Sequence, residues 1–279
     1  MNSGGSAVRT HAASTPTQTL SRRVTVVGGK GLMGRFFVQQ FSKAGHRVNI
    51  LERDNWHQAQ QLLEGVDLVL VCVPIEYTSD VIRDIAVYLS PETAMADITS
   101  IKEPIVESML AHHGGPVMGL HPMFGPNVNS FQSQTIAVCP GRDDAAFEWL
   151  LELIEQAGGK LTVCTPAEHD QMMLTIQGVR QFATFSLGVF LAGEEIDLER
   201  SLELSSPSYR ELIGMVNRLF AQSPELVADI MLFNQERRET IVRLAETYSR
   251  LAQLVTENDR AGLVREFRSA QQVWAGMNP

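Results

Sequence analysis

Arg23-Val24-Thr25-Val26-Val27 is a short β-branched run that meets Gly28-Gly29-Lys30-Gly31-Leu32-Met33-Gly34, after which Phe36, Phe37 and Phe41 recur at helical spacing. Strand, glycine turn and helix in that order leave little freedom in the fold. In Gly29-x-Gly31-x-x-Gly34 the first glycine is expected to make the tight turn, the second to let the backbone approach a pyrophosphate, and the third to let the helix pack close on the strand. The helix then starts with free N–H groups and the positive end of its macrodipole turned toward the phosphates. Gly45 closes the helix, Arg47–Leu51 reads as a second strand, and Glu52 stands at its end, about 20 residues beyond the glycines, where a carboxylate accepts from a ribose 2′-hydroxyl. That favours NAD. Arg53, one residue later, offers the other reading, a guanidinium for the 2′-phosphate of NADP.

The sheet continues. Residues 66–74 are apolar after Asp67, as a strand buried on both faces should be. Residues 77–89 read as a crossover helix and 93–98 as the next strand, with Thr99-Ser100-Ile101-Lys102 leading into a helix start at Glu103-Pro104. Residues 117–120 end a further buried strand, and His121-Pro122-Met123-Phe124-Gly125-Pro126 follows, where proline and glycine stop either regular structure. His121, Ser100 and Lys102 therefore share the carboxyl edge of an open α/β sheet, where ligands bind. The plainer readings are a histidine bonded to its own turn, a helix-capping serine and an exposed lysine. Residues 134–139 and 160–164 complete the strands, with a helix over about 143–156 between them.

From residue 167 the apolar positions recur only at helical spacing, with helices expected over 167–192, 196–205, 208–221, 224–254 and 258–275. The expectation is thus a polar, disordered tail over residues 1–22, a Rossmann-like, doubly wound, mostly parallel α/β domain over 23–166, and an all-helical substrate and dimerisation domain over 167–279. Phe182, Phe185, Phe190, Leu191, Leu219 and Phe220 are core or dimer contacts on this reading, and a homodimer is expected. Glu168-His169-Asp170-Gln171 opens the first of these helices beside the sheet edge. Arg180-Gln181 follows on it, while Arg210 and Arg218 are eight apart on another helix. Each arginine on its own reads as an ion pair, but arginines opposite a dinucleotide site suggest an anionic substrate.

The net charge of −9 and the lack of any basic run argue against nucleic acid. No apolar stretch reaches the roughly 18 residues of a membrane span, and the 3 cysteines lie far apart, suggesting neither a disulfide framework nor a metal site. A soluble cytoplasmic protein acting on small molecules is expected.

Together these residues closely resemble the prephenate dehydrogenase family, above all the dehydrogenase part of the bifunctional chorismate mutase/prephenate dehydrogenases of enteric bacteria. The likeness runs over residues 24 to 274. It is carried by Val26-Val27-Gly28-Gly29 with Gly31 and Gly34, Ile50-Leu51-Glu52 with Asp54 and Trp56, Cys72-Val73-Pro74-Ile75, Ser100-Ile101-Lys102, Gly119-Leu120-His121-Pro122-Met123-Phe124-Gly125-Pro126, Glu168-His169-Asp170-Gln171, Ser205-Ser206-Pro207 with Tyr209-Arg210, and Arg218-Leu219-Phe220-Ala221-Gln222. The resemblance implies NAD-dependent oxidative decarboxylation of prephenate to 4-hydroxyphenylpyruvate in tyrosine biosynthesis. By that analogy His121 takes the C4 hydroxyl proton, Ser100 bonds the same hydroxyl, Arg218 holds a carboxylate, and Lys102, His169, Arg210 and Gln181 line the substrate. Gly29, Lys30, Gly31, Leu32, Met33, Gly34, Glu52, Arg53, Val73 and Pro74 are the implied cofactor contacts.

The chain departs from the enteric pattern in three ways: no mutase helices precede the polar tail, so no mutase activity is expected; Gln181 replaces a histidine after Arg180; and Asn127 replaces an aspartate. The last two leave tyrosine inhibition open and lean toward prephenate, since selection of arogenate's ammonium calls for a carboxylate. The same chemistry on arogenate or 4-amino-4-deoxyprephenate is the nearest alternative. A β-hydroxyacid dehydrogenase or imine reductase is disfavoured, because the hydroxyacid enzymes use a helix lysine and this chain has none after Lys160. A non-catalytic NAD-binding regulator is the remaining alternative.

Overall fold

The computed structural model describes residues 20–125 and 127–276, so the expected tail up to residue 19, and Pro126, lie outside the described residues. Seven strands form one sheet: β1 (Arg23–Val27), β2 (Arg47–Leu51), β3 (Leu68–Val71), β4 (Ala94–Asp97), β5 (Val117–Pro122), β6 (Thr135–Arg142) and β7 (Lys160–Val163), in the order β2-β1-β3-β4-β5-β6-β7. All neighbours are parallel except β5 and β6. The mostly parallel doubly wound sheet read from the sequence is therefore present. Between the strands run α1 (Leu32–Lys43), α2 (Ala59–Leu63), α3 (Ile75–Ala86), α4 (Glu103–His112) and α5 (Glu148–Gln156).

Successive strand residues face opposite sides of the sheet, and both sides are apolar here. Val24, Val26, Leu68 and Leu70 pack under Phe36, Phe37 and Phe41 of α1 and Leu150 and Ile154 of α5. Val27, Val69 and Val71 pack on the other side with Leu63, Ile82, Ile85, Ile105 and Met109. Burying the sheet twice is what permits uninterrupted apolar strands such as β3.

The strand carrying His121 runs further than the sequence suggests. β4 pairs with β5 only as far as Gly119, whereas β6 pairs as far as Pro122. The next ladder bond to β6 is donated by the Met123 N–H to the Thr135 carbonyl, 2.9 Å, so the missing N–H of Pro122 falls on the unpaired side, where a proline is tolerated. His121 is thus fixed in a strand instead of riding on a loop.

Beyond β7 the chain is helical: α6 (Pro166–Met173), a π-helical stretch (Leu174–Val179), α7 (Arg180–Gly193), α8 (Leu198–Glu203), α9 (Pro207–Phe220), α10 (Pro224–Leu232), α11 (Gln235–Thr256) and α12 (Arg260–Trp274). Thr165 caps α6, its hydroxyl accepting from the Glu168 N–H at 3.1 Å. The one helix expected over 224–254 is two, because Asn234 leaves helical geometry and caps α11 by accepting from the Arg237 N–H at 2.8 Å. The expected helix over 167–192 keeps its direction but widens at Leu174–Val179.

Candidate active site

The glycine turn is built as a cradle. Its left-handed residue is Gly28, φ +81°, and not Gly29 as the motif suggests; the Gly28 N–H donates to the Leu51 carbonyl at 2.9 Å. A Cβ on Gly34 would sit 2.1 Å from the Gly28 carbonyl oxygen, so only glycine lets α1 begin this close to β1. No side chain caps α1 and no acid lies in its first turn, which leaves its first N–H groups and its dipole to an anion. Glu52, at the end of β2, accepts from the Lys30 N–H at 2.5 Å, so its carboxylate stands at the rim of the same loop. Lys30 Nζ pairs with Asp54 at 2.7 Å, and Arg53 lies over the Tyr77 ring, 4.7 Å from its centroid. Half-buried Val73 and exposed Pro74 follow the end of β3, with Pro74 at the N-cap position of α3. Free helical N–H groups, a glycine floor and a carboxylate at the second strand end suit the pyrophosphate and the 2′-hydroxyl of a dinucleotide.

Along the sheet edge, α6 reaches over β5. His121 Nδ1 lies 2.8 Å from His169 Nε2, and His169 Nδ1 lies 2.7 Å from Asp170 Oδ1. Gln177 Nε2 is 3.3 Å from His121 Nε2. All four side chains are buried. Burial alone would push the Asp170 carboxyl up, but the His169 bond and the N–H groups of Glu103 and Lys102 outweigh it and hold the group below the usual carboxylate range. An ionised Asp170 can only accept, so His169 donates from Nδ1, accepts at Nε2, and His121 in turn donates from Nδ1. The lone pair of His121 Nε2 is then the free end of the relay, held by the Gln177 amide. Burial, followed by His169, Lys102 and Arg237, drives the His121 pKa well below its ordinary value. This imidazole is a neutral acceptor.

Several expected contacts are engaged within the protein. Lys102 is fully buried: its ammonium pairs with Asp97 and donates to the Leu120 carbonyl at 2.8 Å, tying the end of β4 to the residue before His121. His169 has both ring nitrogens engaged, by His121 and by Asp170. Arg210 donates to the Ser205 carbonyl at 3.1 Å and braces the connection from α8 to α9. Ser100, half-buried, lies in the β4–α4 turn ahead of Lys102.

Arg180 of α7 and Arg218 of α9 have solvent-accessible side chains, and partial burial of the Arg180 guanidinium, followed by the nearby Arg218 charge, lowers the Arg180 pKa. Neither forms an ion pair among the described residues. Two such guanidiniums have the chemistry to pair with an anion. Gln181 is buried beside them in sequence, its Oε1 without a partner.

Sequence reasoning missed Gln177, Asp97 and Arg237. Gln177 and Asp97 lie within runs that read as helix and strand. Arg237 looks like one more charge on a polar helix, and only the break at Asn234 turns it inward.

The chain matches two family models, the nucleotide-binding domain of prephenate dehydrogenase over residues 8–163 and its dimerization domain over residues 165–269. It is 40% identical to the T-protein of Enterobacter agglomerans over 91% of its own length and 68% of that protein's. With the T-protein of Haemophilus influenzae the identity is 38%, over 91% of this chain and 67% of the other. The fold is similar to that of Aquifex aeolicus prephenate dehydrogenase, solved in complex with hydroxyphenyl propionate and NAD+, with a TM-score of 0.70 at 17% identity, over 93% of this chain and 100% of that one.

Proposed function

The chain belongs to the prephenate dehydrogenase family, and from that premise we propose that it oxidises prephenate with NAD, releasing CO2 and 4-hydroxyphenylpyruvate. The observation that carries this is the relay Asp170–His169–His121, which ends in a buried, neutral imidazole nitrogen at the carboxyl edge of a dinucleotide-binding sheet. His121 Nε2 exchanges the Gln177 amide for the C4 hydroxyl of the substrate and takes its proton as the C4 oxygen becomes a carbonyl. When bound, NAD supplies the acceptor for the hydride that leaves C4. The C1 carboxylate departs as CO2, and its bonding pair completes the aromatic ring. The imidazolium formed at His121 is stabilised by Asp170 through His169, and it returns its proton to the phenolate oxygen that decarboxylation leaves, giving the 4-hydroxyphenyl product.

Gly29, Gly31, Gly34 and the first N–H groups of α1 hold the pyrophosphate in this reading, and Glu52 takes the ribose. Its carboxylate repels a 2′-phosphate, which favours NAD over NADP. Arg218 with Arg180 takes a substrate carboxylate. Gln177 beside the base, Gln181 and Asn127 are all neutral, which favours a keto acid over arogenate, whose ammonium asks for a carboxylate. The helical part, described as far as residue 276, leaves Val189, Phe190, Phe220 and Leu232 exposed, and such a face suits a second copy; we assign it to a homodimer. No helix among the described residues is long and apolar enough to cross a membrane, and a cytoplasmic enzyme of tyrosine biosynthesis fits these features.

The test is purified protein with prephenate and either NAD or NADP, followed by the absorbance of the reduced cofactor. Reduction of NAD but not NADP supports the reading. Turnover only with arogenate or 4-amino-4-deoxyprephenate moves the substrate assignment, and no turnover on any of the three overturns the function.

A further inference from the structure

Arg237 is the largest fully buried side chain of the described residues, with 0% of its surface exposed. It stands in the first turn of α11, its stem lying across Gly178, where an added Cβ would come within 2.9 Å of its Cγ. Nη1 donates to the Ile230 carbonyl at 2.6 Å, and Cζ sits 5.3 Å from the centroid of the Phe233 ring. Nε and Nη2 are buried and have no partner. No carboxylate pairs with it among the described residues. The carboxylate whose charge it feels, Asp170, already accepts from His169 and from two backbone N–H groups. A guanidinium stays charged even when buried, and an unpaired one opposes folding. An apolar side chain in the same space would make the fold more stable.

Gly178 follows Gln177, whose amide touches the base. We infer that Arg237 is a positioning residue whose uncompensated buried charge, packed on the backbone that carries Gln177, keeps His121 in its neutral, proton-accepting form. This rests on the reading of His121 as the base. The groups that face His121 are His169 of α6 with Asp170 behind it, Gln177 of the π-helical stretch, Lys102 at the start of α4 with Asp97 of β4 against it, and Arg237 of α11. Of the two cations, Lys102 is neutralised in direct contact by Asp97. Arg237 has no carboxylate in direct contact, and it adds to burial, His169 and Lys102 in opposing protonation of the ring.

A unit charge on the order of 10 Å away, through an effective dielectric of about 20, moves a titration by roughly one pH unit. The experiment is the pH profile of kcat/KM for Arg237→Met and Arg237→Lys with prephenate and NAD. In Arg237→Met the acid limb should move to higher pH by about one unit, while Arg237→Lys keeps it near the original position. An unmoved limb in a folded Arg237→Met protein that still binds NAD overturns the inference. A second measurement needs no turnover: 15N-histidine NMR of the unaltered protein and of Arg237→Met. A His121 ring that titrates about one unit higher in Arg237→Met supports the inference, and a ring that titrates at the same pH in both refutes it. Because NMR reads the proton affinity directly, a failure to turn over prephenate would count against the function and not against this role.

Discussion

Asp170→Asn isolates the relay from everything else in the molecule. The carboxylate accepts three hydrogen bonds, from the N–H groups of Lys102 at 2.8 Å and Glu103 at 2.9 Å and from His169 Nδ1 at 2.7 Å. An amide brings one oxygen to that set. If the oxygen keeps Lys102 and His169, the new NH2 faces the Glu103 N–H, a buried donor against a donor, costing about 1–3 kcal/mol of stability. If the amide turns over, it presents an N–H to His169 Nδ1, which must then accept. His169 would donate from Nε2, His121 would accept at Nδ1, and its proton would sit on Nε2, the atom that has to be free. Either way the charge that balances the imidazolium is gone. Loss of a positioned base costs about 10²–10⁴-fold, and an asparagine that imposes the wrong histidine tautomer in a serine protease costs about 10⁴. We expect kcat to fall by roughly 10²–10⁴-fold with NAD affinity unchanged, since the glycine turn lies at other strands. Steady-state kinetics, a binding titration and a urea melt together read all three quantities. A kcat within about threefold of the original, in protein that has lost the expected stability, would mean that the relay carries no proton and that His121 works alone or not at all.

Lys102→Met leaves Asp97 charged and buried without its cation, and breaking such a pair costs about 3–5 kcal/mol; an unfolding midpoint within experimental error of the original would show that the pair is not felt. Arg218→Ala removes one guanidinium of the exposed pair and should raise the KM for prephenate by roughly 10–100-fold, the worth of a charged hydrogen bond, with kcat less affected; an unaltered KM disproves the carboxylate role. Burial, joined at His46 by the Arg22 charge, also lowers the pKa of His46 and His113, as it does that of His121. The unfolded chain therefore takes up protons near pH 6.5 before the folded one does, so stability present above about pH 6.5 should decline as the pH falls toward the folded values. Urea midpoints at pH 7.5 and about 5.5 test the sign, and a higher midpoint at the acid pH would contradict it.

The sheet was legible because it is apolar on both faces. β3 shows as an unbroken run, and the glycines, the acid and the helix after β1 leave one reading of the turn, although its left-handed residue is one position earlier than the motif suggests. The site was legible in its parts but not in its assignments. His121, His169 and Arg218 stand out as residue types in suggestive places. Sequence cannot say that both ring nitrogens of His169 are engaged, or that Lys102 is drawn inward by Asp97, because each depends on a partner far away in the chain. Arg237 is the extreme case: a helix with a polar majority gives no hint that one arginine is buried, and the reason lies in Asn234, which starts a new helix where apolar periodicity reads straight through.

The π-helical stretch explains why both edges of the His121 ring are served by one helical run. His169 and Gln177 are eight residues apart, which in a continuous α-helix at about 100° per residue leaves them roughly 80° apart around the axis. Bonds from i to i+5 over Leu174–Val179 put more residues in each turn, so each residue turns the chain less. Gln177 thereby comes round toward the side of His169, and one side chain meets Nδ1 of His121 while the other meets Nε2. Periodicity analysis assumes 3.6 residues per turn and cannot see such a change of phase. Deleting Thr175, which is exposed, lets the run close as an α-helix and leaves Gln177 seven residues from His169, about 20° apart around the axis. The side that Gln177 faces is then kept, but the shorter run draws it back by about 1.5 Å along the axis. A misplacement of that size costs up to about 10²-fold in rate, so kcat should fall while the helical content and the NAD affinity stay in place. A deletion protein with unchanged kcat would show that the widened turn is incidental to the site.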